Sequence, residues 1–165
     1  MKKISVDLSK QGIKSLEKEV LEYQRFIIKK SDELAKRLAE IGVTKAQSNF
    51  DMAEYVGIKD HVITVEQIGD SQYKVLADGE TVLFMEFGTG ITYANPPHPE
   101  QGEFGAGTYE PNYGHWDDPE GWFLPRSKGD RKHTFGNPPN ASMYNTVRYL
   151  EQEFERIVQE VFANA

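Results

Sequence analysis

Residues 9–42 read SKQGIKSLEKEVLEYQRFIIKKSDELAKRLAEIG, and the phase of this stretch decides the fold class. Ile13, Leu16, Val20, Tyr23, Ile27, Leu34, Leu38 and Ile41 recur at gaps of 3, 4, 3, 4, 7, 4 and 3. That spacing lines them along one side of a helix with 3.6 residues per turn. Ser9 supplies a cap at its start and Gly42 a stop at its end. The stretch therefore predicts one helix over 9–41, about 50 Å long at 1.5 Å per residue. The stripe skips a turn at Lys30-Ser31-Asp32, where Ser31 offers a second cap, so a kink there is the alternative.

Outward from that helix the pattern changes. Ile4-Ser5-Val6-Asp7-Leu8 alternates apolar and polar residues, as a half-buried strand does. Residues 44–59 carry a weaker helical signal. His61 to Glu66 and Ser71 to Leu76 are rich in β-branched and aromatic residues around a Gly69-Asp70 turn, which predicts a β-hairpin. Asp78-Gly79 turns the chain again before 81–87, where Val82-Leu83-Phe84-Met85 favours a third strand over a short helix. Gly121 to Leu124 is expected to return as a strand. Beyond Pro138-Pro139, Asn140 is a plausible cap for a last helix, in which Met143, Val147, Leu150, Phe154, Ile157 and Val161 repeat at gaps of 4, 3, 4, 3 and 4. The expected fold class is α+β: an antiparallel sheet of three to five strands packed against a long N-terminal helix and a C-terminal helix.

The chain has 165 residues, no cysteine and a formal net charge of −7, the size of one ordinary domain. Thiolate nucleophiles, disulfides and cysteine-based metal sites are excluded. Its longest apolar run is four residues, Val82 to Met85, far short of the roughly 20 a membrane span needs. Met1-Lys2-Lys3 leads into no apolar leader segment, so a soluble protein without the usual secretion signal is expected.

Composition divides the chain unevenly. All eight prolines lie between Pro96 and Pro139, and nine of the fourteen glycines between Gly88 and Gly136. Thirteen basic residues face fourteen acids in 1–80, but only six face twelve in 81–165. Between Lys74 and Arg126 there are nine acids and no Lys or Arg, and the basic cluster Arg126, Lys128, Arg131 and Lys132 follows at once. We read a single domain, 1–165, with a scaffold of 1–90 and 121–165 and an acidic Gly/Pro/aromatic loop insertion at 91–120. So acidic a chain is repelled by nucleic-acid phosphates at long range.

No constellation commits to a reaction. His98, His115, Asp117 and His133 hold ligand atoms for a divalent metal, which keeps a metal-dependent hydrolase as the alternative, but their spacing matches no ligand motif. No serine sits in a nucleophile elbow, and Gly88-Thr89-Gly90 lacks both the third glycine of a dinucleotide fingerprint and the Lys of a phosphate loop. Glu86 at the end of its apolar run reads more readily as a cap or ion-pair partner than as a general acid or base. The aromatics of the insertion, Tyr93 and Trp116 among them, read either as a small second core or as a protein-contact surface.

The order of the pieces carries more. Glu86-Phe87-Gly88-Thr89-Gly90 follows an apolar run; then come Pro96-Pro97-His98-Pro99, Gly121-Trp122-Phe123, and Thr134-Phe135-Gly136-Asn137-Pro138-Pro139 leading into Met143-Tyr144. In this order they resemble the tail-completion, or head–tail joining, proteins of long-tailed double-stranded DNA phages and prophages, over nearly the whole chain. The resemblance implies a non-enzymatic minor virion protein that forms a ring in the neck. Its implied partners are other copies of itself, the head connector or adaptor, and the tail tube or tail terminator. It implies no cofactor, metal or catalytic residue, no membrane and no specific nucleic-acid binding, though DNA passes nearby. The tail terminator of the same neck remains the neighbouring alternative. The implied location is the virion, with the host cytoplasm during assembly. Glu86, Phe87, Gly88, Thr89 and Gly90 are expected to form a tight structural junction. Candidate interface residues are Tyr93, Pro97, His98, Trp116, Trp122, Phe135, Met143 and Tyr144.

Overall fold

A computed structural model describes residue 7 and residues 9–55, 57–90, 98–100, 120–123 and 133–163. Within them the architecture is α+β. Helix α1 spans Lys10–Met52, strands β1 and β2 span Val62–Gly69 and Gln72–Asp78, and a six-residue helix α2 spans Val82–Phe87. Strands β3 (Trp122–Phe123) and β4 (His133–Thr134) precede the last helix, α3, Ser142–Ala163.

Helix α1 begins where expected: the Ser9 side chain accepts the Gly12 amide at 3.1 Å. It does not end where expected. It runs through Ser31 without a break and through Gly42 to Met52, 43 residues and about 65 Å. The weak signal at 44–59 is mostly the last three turns of this same helix. Gly42 is a packing residue instead of a stop. A Cβ there would come within 3.3 Å of Val75 on one side and 3.4 Å of Leu150 on the other. Together with buried Ala39 and Ala46 it makes a small-residue seam. Along this seam β2 and α3 both approach α1 closely, a gain that outweighs the roughly 1 kcal/mol helix penalty of glycine. At the C-terminus of α1, the Lys59 ammonium donates to the carbonyls of Asp51 and Phe50, at 2.5 and 3.4 Å, placing a cation on the negative helix end.

The stretch expected as a third strand is α2. Asp60 decides this, because its carboxylate accepts the Glu80 and Thr81 amides at 2.9 and 3.0 Å and the Thr81 hydroxyl as well. Those bonds fix the turn that leads into the helix, whose first amide, that of Val82, reaches back to the Gly79 carbonyl at 3.4 Å. The apolar run then takes helical phase: Val82, Met85 and Glu86 turn inward while Leu83 points out. Consequently 81–87 adds no strand to the sheet. The described residues hold two separate two-stranded antiparallel pairs, β1–β2 and β3–β4, joined to no third strand. The hairpin turns at Asp70-Ser71, with a register shift between Gln67 and Gly69. The return strand near Gly121 is present as β3, and the expected strand Ile4–Leu8 lies outside the described residues.

Helix α3 packs antiparallel along α1 from Asn49 back to Phe26. Asn49 meets Ser142 and Thr146, Gly42 lies at Leu150, and Phe26 meets Phe162 edge-on at 6.5 Å. The hairpin lies along a second face of α1, with Val75 at Gly42 and the Tyr73 hydroxyl donating to Asp32 at 3.3 Å. Burial, reinforced by the Asp32 carboxylate, pushes the pKa of that phenol above its ordinary value. Phe50, Ala53, Val82 and Met85 form the core at the far end, joined by Ile63, Ala77 and Met143. On the N-terminal side of Phe26, α1 extends beyond both partners, and Ile13, Val20 and Tyr23 there are each about half exposed. No helix among the described residues is long and apolar enough to cross a membrane.

Candidate functional site

The residues singled out by motif order meet where α2 ends and α3 begins. A six-residue helix leaves nearly all its carbonyls without internal partners, and the chain from 137 to 141 supplies them. The Asn137 side-chain amide donates to the Phe84 carbonyl at 2.8 Å, the Asn140 amide to Met85 at 2.9 Å and the Ala141 amide to Glu86 at 3.0 Å. The exchange is reciprocal. Glu86 returns its carboxylate to the start of α3, Oε2 accepting the Met143 amide at 2.8 Å and Oε1 the Tyr144 amide at 3.1 Å. A carboxylate at a helix N-terminus satisfies orphan donors and faces the positive end of the macrodipole. The cap of α3 is therefore a residue 56 positions upstream. Asn140, expected in that role, instead donates from its side chain to the Asn49 carbonyl and the Ser142 hydroxyl, at 2.9 and 2.6 Å.

His98 completes this centre. Its Nδ1 accepts the Glu100 amide at 3.0 Å, and its Nε2 lies 3.1 Å from Glu86 Oε1. A backbone N–H only donates, so Nδ1 is bare and Nε2 carries the proton that Glu86 accepts. The ring is clasped by Phe87, centroid to centroid 4.4 Å, and Tyr144, 5.7 Å. Both Glu86 and His98 are buried, at 6% and 3% exposure. A carboxylate this deep is tolerated because three N–H donors converge on it.

Beside it, Thr89 and Asn137 pair as a two-residue bridge. Their amides and carbonyls bond mutually at 2.9 and 3.1 Å, and the Thr89 hydroxyl donates to Asn137 Oδ1 at 2.6 Å. The backbones are close enough that a Cβ on Gly136, at φ +103°, would fall 2.0 Å from the Thr89 carbonyl oxygen. One on Gly88, at φ +76°, would fall 2.7 Å from the Pro139 nitrogen. Both positions require glycine for conformation and for space. On the α1 side, Asn49 Nδ2 donates to the Ser142 carbonyl and the Thr146 hydroxyl, each at 3.0 Å.

Glu86, Phe87, Gly88, Thr89 and Gly90 thus form one junction with the segment 134–144. Among the expected interface residues, Phe135 is about half exposed, Met143 and Tyr144 are partly buried, and His98 and Trp122 are buried within this chain. Tyr93, Pro97 and Trp116 lie outside the described residues, as do His115 and Asp117 of the metal alternative. His133 packs between the Phe123 and Phe135 rings, and no three His, Asp or Glu side chains gather to hold a metal among the described residues. Sequence reasoning missed Asn49, Ser142 and Thr146 here, placed Asn140 as a cap, and quoted Asn137 only as part of its motif. Of the three that were missed, Asn49 left a signal, a polar residue at the phase of Ala39, Gly42 and Ala46, where the helix is buried.

At the start of α2 the titration of the Asp60 carboxylate is displaced. The Thr81 hydroxyl first, then the Thr81 and Glu80 amides, hold it below the ordinary carboxylate range. Every one of these arrangements ties chain segments together; their donors and acceptors face each other, and Phe135 is the half-exposed apolar residue at the edge. Compared with protein-family models, with curated proteins and with solved structures, the chain matches none.

Proposed function

We propose that this chain is a non-enzymatic structural protein of the neck of a long-tailed double-stranded DNA phage or prophage, completing the tail and joining it to the head connector as a ring of identical copies. The observation that supports this reading best is the meeting of the two signature stretches. Glu86–Gly90 and the residues 134–144, some fifty positions apart in sequence, hold each other through a buried lattice of hydrogen bonds. Shared motif order then reflects a shared scaffold. The half-exposed apolar end of α1 and the net charge of −7 suit a subunit whose neighbours complete it while DNA passes without being held.

Deleting the gene in an inducible phage and imaging the lysate tests the proposal. Separate filled heads and finished tails are expected, with joining restored by supplying the protein in trans. Intact virions from the deletion would end the reading.

A further inference from the structure

On the side of α1 away from the junction lies a concavity of about 450 Å3, formed by Arg37, Glu40, Thr44, Lys45 and Ser48 together with Tyr149 of α3. Its donors are largely unengaged. Arg37 lies 4.0 Å from Glu40, the outer limit of an ion pair, with both side chains about half exposed. Lys45 stands over the Tyr149 ring at 5.3 Å. The Thr44 hydroxyl donates back to the Glu40 carbonyl, while Ser48 and Tyr149 offer hydroxyls that make no hydrogen bond among the described residues. With two cations and two hydroxyls against the one Glu40 carboxylate, the hollow carries a net positive charge and fits carboxylates.

We propose that this concavity receives the acidic interval 100–120 of a second copy of the chain, an inference that rests on the ring reading above. Charge complementarity selects the occupant. The interval carries Glu100, Glu103, Glu110, Asp117, Asp118 and Glu120 without a single Lys or Arg, in a chain whose other half is nearly neutral. A ring closes through a heterologous contact, in which one face of each copy meets a different face of the next. A basic hollow on α1 and an acidic interval on the neighbour make such a pair. Duplex DNA fits it less well, because two cations neutralise few phosphates.

The test uses the full chain and a fluorescent peptide of residues 101–119, read by anisotropy. Wild-type protein is expected to bind the peptide, more weakly as salt rises. The double reversal Arg37→Glu/Lys45→Glu weakens binding by about tenfold or more. Circular dichroism and melting show that the variant folds, and the milder Arg37→Gln/Lys45→Gln should fall between the two. A second arm mixes copies. Chains with Arg37→Glu/Lys45→Glu, and chains with Glu103, Glu110, Asp117 and Asp118 changed to Lys, should each lose self-association in sedimentation, and the mixture should regain it. Absence of peptide binding, binding unmoved by the reversal, rescue only when all changes sit in one chain, or a duplex oligonucleotide outcompeting the peptide would each overturn the inference. If phage carrying Arg37→Glu/Lys45→Glu join heads to tails normally while the deletion does not, the docking site fails and the ring reading survives. Normal virions from the deletion itself bring down the reading on its own account.

Discussion

Replacing Glu86 by Gln preserves shape and removes only the charge and one acceptor, and its effect follows from the geometry. Three N–H groups, His98 Nε2 and the amides of Met143 and Tyr144, converge on the carboxylate. A glutamine side chain presents one oxygen and one NH2, so at least one buried donor then faces another donor. A buried donor without an acceptor costs about 1–3 kcal/mol, and losing charge assistance weakens the bonds that remain. The cap contribution at the start of α3 is part of the same loss. We expect Glu86→Gln to destabilise the protein by about 3 kcal/mol, which for a chain of this size lowers Tm by roughly 6–12 °C. His98→Phe keeps a ring between Phe87 and Tyr144 but removes both the donor to Glu86 and the acceptor of the Glu100 amide, so about 1–2 kcal/mol is expected. Thermal and urea melts of both variants give the magnitudes, and hydrogen exchange at the Met143 and Tyr144 amides locates the effect. A Glu86→Gln protein that melts within about 2 °C of wild type, with those amides still protected, would refute the claim that Glu86 caps α3.

Gly136→Ala should cost several kcal/mol, because its Cβ meets a backbone carbonyl at φ +103°, whereas Gly69→Ala, whose nearest contact is the movable Gln72 side chain at 3.3 Å, should be nearly neutral; paired melts decide. Gly42→Leu forces β2 and α3 apart along the α1 seam and should lose about 1–3 kcal/mol, with increased exposure of apolar surface to a dye. Asp60 titrates lower in the fold than in the open chain, so its stabilisation is complete above the ordinary carboxylate range and is lost as pH falls through its folded value. The group is largely in water, so the loss is small, and Asp60→Asn should flatten the acid limb of stability against pH; an unchanged limb would contradict it.

The helices were legible because their stripes are long, and length lets periodicity outvote local exceptions. Ser9 capped α1 as its sequence promised. Gly42 misled for a physical reason: glycine stops helices where the chain needs positive φ, but it also sits inside them where two neighbours crowd the same turn. At 81–87 the failure was of another kind. Four apolar residues satisfy strand and helix equally, and the deciding partner, Asp60, stands some twenty residues upstream. In the candidate site, Glu86 was legible as a cap or ion-pair partner from its place at the end of an apolar run, but which helix it caps depends on tertiary contact alone. His98 was marked among interface residues, and its burial against Phe87 and Tyr144 follows from a fold-back that no local pattern records.

Helix α2 is too short to stand alone in water, since nucleating a helix is unfavourable and six residues return few bonds. It exists because Asp60 holds its start while Asn137, Asn140 and Ala141 hold its end. Beside α2, Thr89 bonds Asn137 and so clamps the two feet of the stretch 90–136, which contains the insertion. Once the feet are clamped, lengthening the loop between them is thermodynamically undemanding, about 0.6 kcal/mol for each doubling of its length. A scaffold built this way can carry insertions of different length and charge without changing its helices. Under the ring proposal, specificity for a neighbour would then vary in 91–120 while the junction that supports it stays fixed.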